Sequence, residues 1–252
     1  MTTNIGDFFN DSNNISGIIE KEYSHMPLLI SAVEAFARST YKYVYMIDYY
    51  KKDFMYISNN LLNTLNLRLE QIKEVGYNIF SNFIPEDEQE MILEINNARV
   101  EFFKSQPVED HKEWILTYDT HIISGKHKRL VNHTITPIYL TKDGDMWIAL
   151  CTIALSPNNE PGNIIMRKVD SNTYYEYSLS THKWNEKRIA VLSQEEKDVL
   201  ILSTQGYTMT EISEKMCKSV DTIKSYKRKI FTKLNVNNIS EAIGNATNYK
   251  LL

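Results

Sequence analysis

The 252 residues predict a two-part fold: an α+β portion built on an antiparallel sheet, followed by a small all-α block of short, capped helices. Three observations carry that expectation. Strand-like runs at 114–123, 129–140 and 146–155 follow one another with short turns and no helix between them, so they must be antiparallel. Beyond Ser193 no strand pattern returns, and N-capping signals come in close succession. Between the two textures lies Ser156-Pro-Asn-Asn-Glu-Pro-Gly162, the clearest linker in the chain.

In chain order, residues 1–14 are Asn-rich and expected to be disordered. Residues 15–38 carry a partial helical stripe of Ile15, Ile18, Ile19, Leu29, Ala32, Val33 and Phe36, interrupted at Pro27. Together they read as a disordered start and leader helix over 1–39. Residues 43–48 and 54–57 are β-branched and aromatic runs around the polar turn 49–53, a hairpin pattern. Helical texture returns over 59–104, broken by Gly76 and restarted by Pro85. There Glu86, Asp87 and Glu88 occupy a first turn, where the helix dipole favours acids. The meander strands are joined by Ser124-Gly125-Lys126 and by 141–145, both rich in hairpin turn residues. After 156, runs at 164–169 and 174–179 flank Asp-Ser-Asn and suggest a connecting hairpin. The expected division is an α+β domain at 40–156, a linker with hairpin at 157–190, and a helical domain at 191–252.

Composition narrows the function classes. With 42% hydrophobic and 24% charged residues the chain can bury a core. Its longest apolar-leaning run, 147–155, is far short of the ~20 residues that span a bilayer. The N-terminus lacks a basic start followed by an apolar stretch, so neither a membrane partner nor a secretory signal is expected. Cys151 and Cys217 are far apart within apolar segments, which suits a reducing, cytoplasmic setting and offers no zinc cluster. The formal net charge is −4, but residues 190–252 hold nine Lys and Arg against seven Asp and Glu, a local +2 that leaves −6 for the rest. Between 215 and 233, Lys215, Lys218, Lys224, Lys227, Arg228, Lys229 and Lys233 face only Asp221. A basic element confined to one part of an acidic chain is the footprint of a polyanionic partner.

The helical block explains how that footprint is built. Ser193-Gln-Glu-Glu196 and Thr208-Met-Thr-Glu211 are capping boxes, each opening a helix, and Gly206 ends the first. Cys217-Lys218 makes a turn, and Ser219 is a third N-cap. In the third helix Val220, Ile223, Ile230 and Leu234 cluster on one face. Asp221, Thr222, Lys224, Ser225, Arg228, Lys229 and Lys233 occupy the opposite arc. A solvated face would mix signs at i,i+4 spacing, whereas this arc is almost purely cationic with small hydroxyls near its start. That composition suits a helix in the major groove, with cations for phosphates and guanine edges and small residues for close approach. Lys227 projects near the apolar side, so its stem is expected to pack and its ammonium to reach outward.

The runs Leu192-Ser-Gln-Glu-Glu-Lys-Asp-Val-Leu200, Gly206-Tyr-Thr-Met-Thr-Glu-Ile-Ser213, Ser219-Val-Asp-Thr-Ile-Lys-Ser-Tyr226 and Ile230-Phe-Thr-Lys-Leu-Asn-Val236 resemble the LuxR-type helix-turn-helix without gaps over 192–242. The resemblance implies a four-helix domain whose third helix enters the major groove. By position it implies base-edge contacts from Lys224, Ser225 and Arg228, and phosphate contacts from Thr208, Ser219, Thr222, Lys227 and Lys233. Lys229, on the same cationic arc, completes the expected DNA-binding set. It also implies a homodimer paired through the last helix, about 239–249. Glu195, Ser213, Tyr226 and Ile239 depart from the family pattern, which usually has Arg, Ala, His and Arg there.

The order of elements over 40–156 resembles a PAS domain, and Tyr77-Asn-Ile-Phe-Ser-Asn-Phe-Ile-Pro-Glu-Asp87 resembles the hydrophobic-Pro-acid-Asp helix start of many such domains. That resemblance implies a sensing module for an unidentified small molecule or protein. Flavin-adduct and haem members place a Cys or a His on the helical segment. No Cys precedes Cys151 and no His lies between His25 and His111, so no cofactor is expected. His121, His127 and His133 straddle a turn without recognised ligand spacing, so no metal is expected either.

No phosphate-cradling glycine loop, nucleophile elbow or paired-carboxylate motif supports an enzyme. Asp48 ends a strand as a receiver's phospho-acceptor does, but the antiparallel meander contradicts a receiver fold and assigns it to a turn. The expected function is a DNA-binding transcription regulator whose PAS-like domain senses a signal. Its expected partners are double-stranded DNA and a second copy, with RNA polymerase and a sensed small molecule as further candidates. The alternative is a protein–protein signalling adaptor whose helical domain does not bind DNA.

Overall fold

The computed structural model describes residues 15, 17, 18, 20–249, 251 and 252, with the side chains of 73, 75, 77, 78 and 80 outside that description. The disorder expected of 1–14 and the contribution of Ile19 to the first stripe therefore lie outside the described residues. The chain forms two compact units, Met1–Lys187 and Arg188–Leu252.

The first unit opens with a 3-10 turn, Glu20–His25, and helix α1, Met26–Ser39. Pro27 does not interrupt this helix but starts it, standing in the first turn, where a missing N–H leaves no intrahelical bond unmade. Strands β1 (Tyr43–Asp48) and β2 (Asp53–Ile57) form the expected hairpin. Helices α2 (Asn59–Leu65) and α3 (Leu69–Val75), the 3-10 segment Gly76–Phe83 and the long α4 (Glu86–Lys104) follow. The meander is β3 (Trp114–Ser124), β4 (His127–Leu140) and β5 (Met146–Leu155). The sheet of this region closes by pairing β5 antiparallel with β1.

The sheet does not stop there. Strands β6 (Gly162–Lys168), β7 (Thr173–Ser178) and β8 (Lys183–Arg188) extend it past β3, in the order β2-β1-β5-β4-β3-β6-β7-β8. The hairpin expected near 164–179 is thus part of a larger sheet. Leu116 pairs with Met166 in register, which buries Ile164 and Met166 in the same core as Leu116. Sequence periodicity identifies strands but does not say which edge they join.

Both faces of the central strands are covered. Tyr45 and Ile47 point to a core shared with Leu61, Ile92, Ile95 and Phe102, while Val44 and Met46 point to Met26, Val33 and Ala37 of α1. Period-two alternation with apolar residues at every position is what a strand buried on both sides requires. Tyr23 fastens the leader to the sheet: its hydroxyl donates to Asp48 Oδ2 at 2.6 Å and accepts from Trp147 Nε1 at 3.3 Å. Asp48 Oδ1 accepts from the amides of Tyr50 and Lys51, so Asp48 is the turn residue expected of it.

Several polar groups within this unit are both buried and paired. Tyr45 Oη lies 2.7 Å from His133 Nε2, and Tyr118 Oη contacts His133 Nδ1. Asp119 accepts from Asn132, Asn158 and Asn163 at 2.8, 2.6 and 3.0 Å. Glu88 accepts from Thr120 Oγ1 at 2.9 Å and from the His121 amide at 2.7 Å, and its Oε1 meets His121 Nδ1. Around β7 and β8, Trp184 Nε1 donates to the Ala98 carbonyl and Tyr177 Oη to Glu94, lacing the added strands to α4.

The second unit consists of α5 (Gln194–Thr204), α6 (Met209–Lys215), α7 (Val220–Leu234) and α8 (Ile239–Asn248). Leu192, Val199, Leu200, Ile212, Ile223, Ile230, Val236, Ala242 and Ala246 form its core. Among the described residues no helix is long and apolar enough to cross a membrane.

Candidate nucleic-acid interface

The caps set the geometry of α5, α6 and α7. Ser193 Oγ accepts from the Glu196 amide while Glu196 Oε2 accepts from the Ser193 amide at 2.8 Å. Thr208 and Glu211 repeat the arrangement, with Thr208 N donating to Glu211 Oε2 at 2.8 Å. Gly206, at φ 84°, supplies the left-handed step that turns α5 into α6. Cys217, at φ 51°, supplies the corresponding step between α6 and α7, and the Lys218 amide returns to the Ser213 carbonyl at 2.9 Å. Ser213, small enough to be buried, stands where α6 approaches its neighbours. Ser219 Oγ accepts from the Thr222 amide at 3.1 Å, and the two hydroxyls lie 2.9 Å apart.

With α7 started at Val220, the 3.6-residue period sorts its side chains. Ile223 and Ile230 are fully buried against α5, α6 and α8. On the far side Asp221, Lys224, Ser225, Arg228 and Thr232 are all exposed, and their spacing of i, i+3, i+4, i+7 and i+11 makes them one continuous row. The three residues expected to meet base edges, Lys224, Ser225 and Arg228, therefore lie together in its middle. Lys229 is exposed on the flank, and Thr222 is half-buried near the helix start. Lys227 is half-buried, with Nζ 5.6 Å from the Phe231 ring centroid, so its stem packs along the apolar side as its position requires.

Besides Ser219 and Thr222, which pair with each other, two more of the expected phosphate-binding groups have internal partners. Thr208 Oγ1 donates to Glu211 Oε2 at 2.7 Å. That bond and the Thr208 amide hold the Glu211 carboxyl below the usual carboxylate range. Lys233 is tied more firmly. Its Nζ donates to the buried Glu196 Oε2 at 2.6 Å and to the Val191 carbonyl at 2.9 Å. Glu196 thus has two roles, capping α5 and anchoring the last turn of α7. The capping box makes its first role visible in the sequence. The second depends on a partner 37 positions away and has no local signal.

Capped helices joined by a tight turn, the second of them exposing a cationic row and burying its opposite face, define a helix-turn-helix. Residues 190–246 match the family described as bacterial regulatory proteins of the luxR family, so the C-terminal unit carries a LuxR-family helix-turn-helix. Its similarity to oxygen regulatory protein NreC of Staphylococcus epidermidis is 39% identity over 62 residues, covering 25% of this chain and 28% of NreC. The chain thus spans just over a quarter of the length of that relative. Among solved structures, a Vibrio cholerae VqmA dimer, described with LuxR-type receptors, is 16% identical over 86% of each chain at a TM-score of 0.35. A phage VqmA in complex with DPO is 15% identical over 89% of each chain at a TM-score of 0.30.

Proposed function

We propose that the protein is a cytoplasmic transcription regulator in which the PAS-like unit senses a signal and controls DNA binding by the LuxR-type helix-turn-helix. The observation that carries the proposal is the exposed row Lys224, Ser225 and Arg228, backed by the buried Ile223 and Ile230, within a segment that matches the luxR family. Such a helix presents donors for guanine edges from a rigid support. Thr208, Ser219, Thr222, Lys227 and Lys229 flank it as phosphate ligands that set register. Lys233, whose ammonium already meets Glu196, contributes mainly by fixing the end of α7.

The regulator works as a homodimer reading two half-sites. A signal at the PAS-like unit changes the spacing of the two recognition helices, to which half-sites about one helical turn apart are sensitive. The family matched by the C-terminal unit is one of regulatory proteins, which supports a regulator over an enzyme. The sensed signal is a small molecule or a protein, and RNA polymerase is the partner through which an activator would act.

The test is a titration of the intact chain on duplex DNA at several salt concentrations. With about five phosphate ligands per protomer, log K should fall steeply and linearly with log salt, at roughly −0.9 per phosphate neutralised. A flat response would instead favour an adaptor that leaves DNA alone.

A further inference from the structure

We propose that Asp221 is a specificity-determining residue of α7, accepting a hydrogen bond from the exocyclic amino group of a cytosine in the major groove. This rests on the reading of α7 as a recognition helix and adds a residue outside the contact set expected from sequence.

In each of the other three helices of this unit one first-turn glutamate turns back to serve the cap, and Glu195, which in α5 holds the helix position of Asp221, is exposed but accepts from Ser193 Oγ at 2.9 Å. Glu196 Oε2 accepts from the Ser193 amide, Glu211 Oε2 from the Thr208 amide, and Glu241 Oε2 from the Asn237 amide. In α7 the equivalent position is Thr222, whose amide bonds Ser219 Oγ, so the cap is made without an acid. Asp221 stands one residue earlier, and its side chain is 89% exposed. Its carboxylate reaches forward along the helix to Lys224 Nζ at 3.1 Å. It heads the same exposed row as Lys224, Ser225 and Arg228.

A carboxylate on a surface that faces phosphates is repelled by them, and a donor on a base edge is what offsets the repulsion. In the major groove guanine and thymine present acceptors, and adenine sets the acceptor N7 beside its amino group. Cytosine offers an amino donor without a neighbouring acceptor, the edge suited to Asp. Lys224 complements this choice, because its ammonium suits guanine O6 and N7. Held 3.1 Å apart, the two side chains form a donor–acceptor pair matched to the two edges of G·C pairs. Asp221 also makes mismatched DNA worse, since at a base without a donor its charge meets only acceptors and phosphates.

The experiment is selection from a pool of random-sequence duplexes by the intact chain, its Asp221→Ala variant and its Asp221→Asn variant, with the Tm of each. The wild type should enrich a site containing a cytosine preferred by roughly tenfold, a preference that falls to within about twofold in Asp221→Ala. Asp221→Asn should move the choice at that position toward adenine, whose N6 and N7 match an amide. If the variants enrich the same bases as the wild type, Asp221 serves only the helix dipole and the inference is overturned, with a lowered Tm as the sole trace. If the wild type enriches no sequence at all, the recognition-helix reading fails and takes this inference with it.

Discussion

In the C-terminal unit the cap hydrogen bonds close within three residues, at Ser193–Glu196, Thr208–Glu211, Ser219–Thr222 and Asn238–Glu241. In the α+β unit several buried polar partners are far apart in the chain: Tyr45 meets His133 across 88 positions, and Glu88 meets His121 across 33. The first kind of bond forms as soon as its helix does. The second exists only once strands from different parts of the chain have come into register. One unit is therefore organised by local signals, the other by its completed sheet. Lys233–Glu196 is the place where the helical unit departs from its own pattern, a 37-position tie that joins the end of α7 to the start of α5.

This contrast can be tested separately in the two units, because Trp114, Trp147 and Trp184 all belong to the first unit and the second has none. Tryptophan fluorescence thus follows the first unit alone, whereas helical circular dichroism reports both units, so a dichroism transition without a fluorescence counterpart belongs to the helix-turn-helix.

The largest effect is expected from Glu88→Ala. It removes the acceptor for Thr120 Oγ1 and for the His121 amide inside the protein, and should destabilise the first unit on the order of 3 kcal/mol. Fluorescence-monitored urea unfolding should show the loss, with the second unit's transition unchanged. A shift of both transitions together would mean the units do not unfold independently.

Lys233→Ala should come next, at about 2 kcal/mol, since it leaves the buried Glu196 carboxylate without its ammonium while the lysine end is partly solvated. The dichroism transition that has no fluorescence counterpart should fall while the fluorescence transition stays. If the variant instead kept its stability and lost affinity for all DNA sequences alike, Lys233 would be the phosphate ligand its position implies.

Mild acid should separate the units by a smaller margin. Burial pushes His133 down to about 3, so the folded sheet holds it neutral while an unfolded chain protonates it near 6.5. The unfolded state then binds more protons, and stability falls as pH drops below about 6.5, by up to about 1.4 kcal/mol per pH unit. At lower pH Glu88 adds to the loss. Burial opposes its ionisation, but its bonds from His121 and Thr120 prevail and hold it below the usual carboxylate range. Asp119 works the other way, because burial raises it despite its asparagine partners, and its protonation on acidification favours the fold. The second unit contains no histidine, so between pH 6.5 and about 5.5 only the fluorescence transition should move. In His133→Gln that movement should disappear.

Much of the architecture is legible in the sequence, and the reason differs by region. Ser193, Thr208 and Ser219 announce three helix starts because caps are made by the residues that follow them. The stripe of Ile223 and Ile230 announces which face of α7 is buried, because 100° per residue leaves no choice. The hairpin and meander were legible for the analogous reason that turn residues and alternation are local. Pro27 was misplaced as an interruption, since a proline reads the same whether it breaks a helix or begins one. The joining of β6–β8 to β3 was not legible, because an edge accepts any strand whose apolar face matches.

The sequence by itself determined the two-part order of elements, the caps, the cationic row of α7 and its residues Lys224, Ser225 and Arg228, all of which depend on neighbours within a helical turn or a tight hairpin. Tertiary structure alone decided the extent of the eight-stranded sheet, the pairing of His133 with two tyrosines, and the assignment of the Lys233 ammonium to Glu196. It also showed Asp221 exposed and paired with Lys224, while Glu196, Glu211 and Glu241 turn back to the starts of their helices. Such features depend on which distant groups the fold brings within hydrogen-bonding distance, and burial makes each of these partners costly to remove.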